Sequence, residues 1–150
     1  MTIRKFKKSD TTELSKLMID TVLESNIKDY TKEAVNHLCE EYTSEKILID
    51  SKKMSIFLAV EESKLLGTIA LDDDLILRMF VLPKYQGKKI GKKLVHHIED
   101  IARKRAIEKL KLRASITAYG FYKKHGYKKI KETDIKGIGK IIWMEKDLSI

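Results

Sequence analysis

Little in this sequence could staple, anchor or repeat. Cys39 is the single cysteine among 150 residues, which excludes an internal disulfide and fits a reducing compartment. No apolar run reaches the roughly 18 residues that a membrane span needs. The opening MTIRKFKKSD is basic, yet no apolar stretch follows it as in a secretory signal, so the cytoplasm is the expected location and no membrane partner is expected. No segment repeats and none is of low complexity. Arginines do not cluster with aromatic residues in the way that reads single-stranded nucleic acid.

What the chain has in excess is positive charge. Its 31 Lys and Arg residues against 22 Asp and Glu give a formal charge of +9. That balance favours a polyanion, whether nucleic acid, an acidic protein or a nucleotide cofactor, and does not choose among them. Much of the excess is lysine scattered singly along expected helices. At 150 residues the chain is the size of one ordinary domain, and a single domain over residues 1–150 is expected.

The informative stretch is LILRMFVLPKYQGKKIG, Leu75 to Gly91. Leu75 to Leu82 is apolar except at Arg78, which predicts a strand buried on both faces, and Pro83 ends it. Lys84 to Gly91 then holds two glycines and three lysines, and beyond it Ile90, Leu94, Val95, Ile98, Ile101 and Ala102 recur at helical spacing. A strand, a glycine-and-lysine loop and a helix N-terminus together suit an anion such as phosphate. The spacing is neither that of a P-loop nor the GxGxxG fingerprint, and on spacing alone Gly87 and Gly91 could equally shape a plain turn.

Pro83, Tyr85, the run Gln86-Gly87-Lys88-Lys89-Ile90-Gly91 and, downstream, SITAYGFYKKHGY (Ser115 to Tyr127) stand in an order that resembles the GNAT superfamily of acyl-CoA-dependent N-acetyltransferases. The resemblance spans nearly the whole chain and implies acetyl-CoA as co-substrate, an amine acceptor and no metal. In that family the loop reads Gln/Arg-x-x-Gly-x-Gly/Ala, and its amides hold the coenzyme A pyrophosphate. Here Lys89 stands where the first of those glycines belongs.

The remaining segments order themselves around that unit. Ile3 to Phe6 is an expected strand, and Asp10 with Glu13 reads as a capping box for a helix over Thr11 to Ser25. Thr31 is an expected N-cap for a helix whose face carries Ala34, Val35, Leu38, Cys39 and Tyr42, continued by a short turn from Glu45 to Asp50. Cys39 on that face reads as a buried, inert thiol rather than a nucleophile. Ser55 to Val60 and Leu65 to Leu71 form an expected hairpin around Glu61 to Lys64. Asp72, Asp73 and Asp74 make a turn or, alternatively, a metal site. Lys109 to Ala114 alternates as a strand parallel to Leu75 to Leu82 across the helix. A short helix from Thr117 stops at Gly126, and Tyr127 to Thr133 and Lys140 to Leu148 close the sheet around the turn glycines Gly137 and Gly139. The fold class is α/β: a mixed, mostly antiparallel GNAT-like sheet flanked by helices, with a βαβ unit at its centre.

By resemblance, the main chain of Met79, Phe80 and Val81 pairs with the pantetheine arm, and Gly87, Lys88, Lys89, Ile90, Gly91 and Lys92 meet the pyrophosphate. Ser115 hydrogen-bonds the cofactor or, alternatively, only caps the last helix. Tyr122, in a Phe-Tyr-x-x-x-Gly segment, matches the family's general acid for the coenzyme A sulfur; without the family match it reads as a core tyrosine. A general base is not assigned: Lys111 stands where some relatives carry glutamate, and Asp72, Asp73, Asp74 and Glu61 remain open, as do His37, His96, His97 and His125. The expected activity is direct transfer of acetyl from acetyl-CoA to a primary amine of a small molecule or protein. The alternative is a non-catalytic module that binds acyl-CoA or nucleic acid on the same fold. The acceptor is unknown, nucleic acid is disfavoured as a partner, and a homodimer is left open.

Overall fold

The structure, a computed structural model, describes residues 1–26, 28, 30–136 and 138–149. Among these, the strands are β1 (Thr2–Lys5), β2 (Ser55–Glu61), β3 (Lys64–Asp72), β4 (Leu75–Val81), β5 (Lys109–Ala114), β6 (Lys128–Ile135) and β7 (Gly139–Asp147). The α-helices are α1 (Thr11–Thr21), α2 (Lys32–Glu41), α3 (Ser44–Asp50), α4 (Ile90–Lys104) and α5 (Ile116–Lys124). All seven strands form one sheet in the order β1-β2-β3-β4-β5-β7-β6. Neighbours are antiparallel except β4 and β5, which run parallel as the strand-helix-strand order requires.

Helices cover both faces of the sheet. On one side Leu94, Val95, Ile98 and Ala102 of α4 pack with Ile76, Leu110, Leu112 and Met144. On the other, Leu14, Leu17 and Met18 of α1, Val35 of α2 and Ile47 of α3 pack against Leu58, Ala70 and Phe80. Strand β4 feeds both clusters, Ile76 and Val81 to the first and Phe80 to the second, which accounts for its nearly unbroken apolar run. Full burial of each large apolar side chain contributes about 1.5–3 kcal/mol, so α4, with Leu94, Val95 and Ile98 fully enclosed, is firmly seated.

Local chemistry sets the element ends. Thr31 Oγ1 accepts from the Ala34 amide at 3.1 Å, and Thr43 Oγ1 accepts from the Lys46 amide at 3.4 Å, so α3 has its own cap and does not continue α2. The expected Asp10 capping box is not formed. Asp10 turns back instead, accepting from Arg4 at 2.9 Å and from the Lys7 amide at 2.7 Å, because a guanidinium fork outcompetes a single helix amide. Glu13 accepts from the Leu65 amide at 3.2 Å. Helix α1 gives way at Val22 to a π-helical turn through Asn26. Glu62 and Ser63, with φ of 50° and 65°, close the β2–β3 hairpin as a two-residue turn that matches the strand twist. Gly126, at φ 93°, ends α5 as expected. Gly139 opens β7, whereas Gly137 lies outside the described residues.

Behind the sheet, Glu99 of α4 is almost wholly buried. Its Oε2 accepts both the Tyr127 hydroxyl and the Lys146 ammonium at 2.9 Å.

Candidate active site

Strands β4 and β5 begin as neighbours and then part. Leu75 opposite Lys111 is the ladder pair between them among the described residues, supported by the Lys111 amide donating to Asp74 O at 2.9 Å. The gap opens into a cleft of about 650 Å³, whose lining includes Met79 and Phe80 of β4, Leu112 to Ala114 of β5, Ser115 and Tyr122. Strand β4 is bulged there: Thr68 faces Phe80 and Ala70 faces Leu77, so Arg78 and Met79 share the place opposite one residue of β3. Arg78 sits at φ 53°, and the bulge turns its side chain to the α2 and α3 side, over the Tyr42 ring at 5.2 Å and against Asp50.

Beyond β4, Pro83 to Tyr85 form a 3₁₀ turn, and Gln86 Nε2 braces the loop by donating to Val81 O at 3.0 Å. Lys89 is the N-cap of α4 in left-handed backbone, φ 65° and ψ 15°. The conformation that suits glycine is therefore kept here with a lysine in it. Gly91 lies in the first turn of α4, where a Cβ would come within 3.3 Å of the Phe121 ring and 3.7 Å of Met79 Cε. Its lack of a side chain lets loop, β4 and α5 meet. The first turn of α4 holds no carboxylate and is ringed by Lys88, Lys89, Lys92 and Lys93, so unpaired amides, dipole and side chains all place positive potential at one spot.

Ser115 Oγ accepts from the Ala118 amide at 3.2 Å as the cap of α5, and the residue also lines the cleft. Tyr122 is buried against Phe121 and Tyr127, with ring centroids at 5.1 and 5.7 Å. Its hydroxyl has no hydrogen-bond partner among the described residues, and burial pushes the phenol well above its ordinary range. It thus stays protonated and available to the cleft.

Met79, Phe80, Ser115 and Tyr122 come together in the cleft, and Gly87 to Lys89 form the loop that leads into the first turn of α4, where Ile90, Gly91 and Lys92 lie. Among the carboxylates left open as a base, Asp72 reaches the cleft, whereas Asp73 and Asp74 line a separate crevice and Glu61 lies beside the N-terminal amine at 3.6 Å. Lys111 pairs with Asp74 at 3.5 Å. Among the described residues no group of His, Cys, Asp or Glu is arranged to hold a metal ion. His37 lines the cleft, His97 packs edge-on against Phe57 at 4.7 Å, and His96 and His125 face each other at 6.0 Å. Cys39 is a half-buried free thiol. Sequence reasoning did not single out Glu41, Asp50 or Trp143 in the cleft, or give Arg78 a place there. The one available signal was Arg78, the sole polar residue of an apolar strand.

The family model for the acetyltransferase (GNAT) domain matches residues 26–148. The chain belongs to the GNAT acetyltransferase family. A spermidine N(1)-acetyltransferase of Thermoplasma acidophilum is 33% identical over 108 residues, a match covering 63% of this chain and 66% of that protein, just under two thirds of its length. The PaiA N-acetyltransferase of the same organism, solved in complex with coenzyme A, superposes with a TM-score of 0.81 at 28% identity, over 97% of this chain and 98% of that one. A GCN5-related N-acetyltransferase from Rhodopseudomonas palustris gives a TM-score of 0.88 at 21% identity, covering 97% and 94% of the two chains, and shares the fold. Among the described residues of this GNAT chain no helix is long and apolar enough to cross a membrane.

Proposed function

We propose that the protein transfers the acetyl group of acetyl-CoA directly to a primary amine of a small molecule or protein, in the cytoplasm, with Tyr122 as general acid. The observation that carries this reading is Tyr122: a buried ring whose phenol stays protonated and whose hydroxyl, without a partner among the described residues, is on the cleft where β4 and β5 part. The coenzyme A complex of the PaiA relative and the spermidine named for the curated relative support the two substrate classes.

The residues fit an acyl-CoA. The parted strands leave main-chain groups of Met79, Phe80 and Val81 free of a β5 ladder, where an extended arm can pair with them. The amides of Gly87 to Lys92 and the lysines around them suit a pyrophosphate, and Ser115 stands at the far wall. When bound, acetyl-CoA supplies an activated thioester. In this reading a main-chain amide of β4 would polarise the thioester carbonyl. Tyr122 donates its phenolic proton toward the sulfur that leaves, while the attacking amine gives up one proton, so the net proton passes from amine to thiol. Because burial raises the Tyr122 phenol, its main contribution is a strong hydrogen bond, and any proton it gives must return promptly.

Tyr122→Phe tests the assignment, since it deletes one hydroxyl and keeps the ring. Turnover of acetyl-CoA should fall by about 10²-fold or more, within the usual range for an acid catalyst, with melting temperature and coenzyme A affinity nearly unchanged. Full activity in the variant, with chemistry shown to be rate-limiting, would return Tyr122 to a packing role.

A further inference from the structure

Arg78 is 12% exposed in its side chain, and its donors are unevenly used. Nη2 binds Asp50, whereas Nη1 is buried with no partner. A buried guanidinium N–H is costly to leave unpaired, and this side chain lines the cleft. A second guanidinium lies on the same wall. Leu112 and Ala114 point to the α4 side, so alternation sends Arg113 to the other, where it stacks on Trp143 at 5.5 Å and has no carboxylate partner among the described residues. Both arginines act on one group, the Tyr42 hydroxyl, opposing the burial that raises it to about 12.

The carboxylates argue in the same direction. Glu41, Asp50 and Asp72 line the cleft, and each already has a cation close by: Lys46 at 3.8 Å, Arg78, and Lys53 at 3.9 Å. The cleft lining carries these three carboxylates and three side-chain cations, Lys53, Arg78 and Arg113, of which Arg113 is the one without a carboxylate partner among the described residues. A polyamine would need spare carboxylates, whereas this wall offers spare guanidinium donors in the fork geometry that carboxylates match.

We propose that the acceptor is an amino acid, its carboxylate held by the guanidinium groups of Arg78 and Arg113 while its amine faces the thioester. This rests on the acetyl-transfer reading above and narrows its substrate class.

The test compares amino acids with the amines left by removing only the carboxylate: lysine with cadaverine, arginine with agmatine, phenylalanine with phenethylamine, and spermidine alongside. In the pair the wild-type protein uses best, the amino acid should have at least a tenfold higher kcat/KM. Arg113→Gln, at an exposed position that does not carry the fold, should bring that ratio toward one through KM. Cadaverine, agmatine, phenethylamine or spermidine used as well as the amino acids would overturn the inference and leave acetyl transfer standing, as would a ratio unmoved by Arg113→Gln. No turnover with any amine, while coenzyme A still raises the melting temperature, would overturn both readings.

Discussion

Replacing Lys89 by glycine should stabilise the ligand-free protein by about 0.5–1 kcal/mol. Left-handed backbone costs an L-residue about 1–2 kcal/mol, which glycine avoids. Against that, glycine frees the unfolded chain, an effect of about 0.4–1 kcal/mol in the opposite direction. Nothing else is lost at this position, because the Lys89 side chain is exposed and makes no capping hydrogen bond. At about 2–4 °C per kcal/mol for a chain of this size, the melting temperature should rise by about 1–4 °C. Lys89→Ala keeps the Cβ and the strain, so it should gain little in stability and instead report on charge. With Lys88, Lys92 and the helix amides supplying potential at the same spot, its loss should raise the coenzyme A dissociation constant by no more than about fivefold, the worth of one exposed ion pair. Thermal melts without ligand, and calorimetric titration with coenzyme A, separate the two contributions. A lower melting temperature for Lys89→Gly, or an equal rise for Lys89→Ala, would refute the strain argument.

Two further substitutions test the frame. Gly67→Ala places a Cβ 2.8 Å from the Phe80 carbonyl, so β3 and β4 must separate beside the bulge; a loss of about 1–3 kcal/mol is expected, and an unchanged melt would show that the strands yield freely. The Asp10 carboxyl is held below its ordinary range by hydrogen bonds from Arg4 and from the Lys7 amide. Its folded value is thus depressed, and it stabilises the fold above the unfolded value near ~3.9, an effect lost as pH falls through the folded value. Asp10→Asn should therefore be less stable than wild type at pH 7, with the gap closing below about pH 4 in denaturant titrations. An equal gap at pH 7 and pH 3 would contradict this.

The strand, loop and helix from Leu75 to Lys104 were legible because local signals agree there: an apolar run, a proline stop, then a 3.6-residue period. Alternation likewise marked Lys109 to Ala114 to the residue. Chemistry that depends on distant partners was not legible. Asp10 looked like a cap because Glu13 follows at the right spacing, yet Arg4 claimed it across a turn. The bulge at Arg78 arises from a mismatch in register with β3, and no local pattern announces it; a lone arginine in an apolar strand hints at something without saying where it points. Asp50 reaches the cleft from the end of α3, 72 residues before Tyr122, and Trp143 from β7, 21 residues after it, a proximity that only the sheet order creates.

The cluster of Glu99, Tyr127 and Lys146 sets a rule for how such chains can diverge. One carboxylate oxygen serves a buried hydroxyl and a partly exposed ammonium together. Losing the carboxylate alone strands a buried phenol, while the partly exposed ammonium can turn to water; losing the ammonium alone leaves a buried anion. Exchanging all three for apolar groups of similar volume avoids both penalties. The positions are far apart in the chain, yet they make a single heritable character, which can pass between its polar and apolar forms only through a weakened intermediate or by simultaneous change.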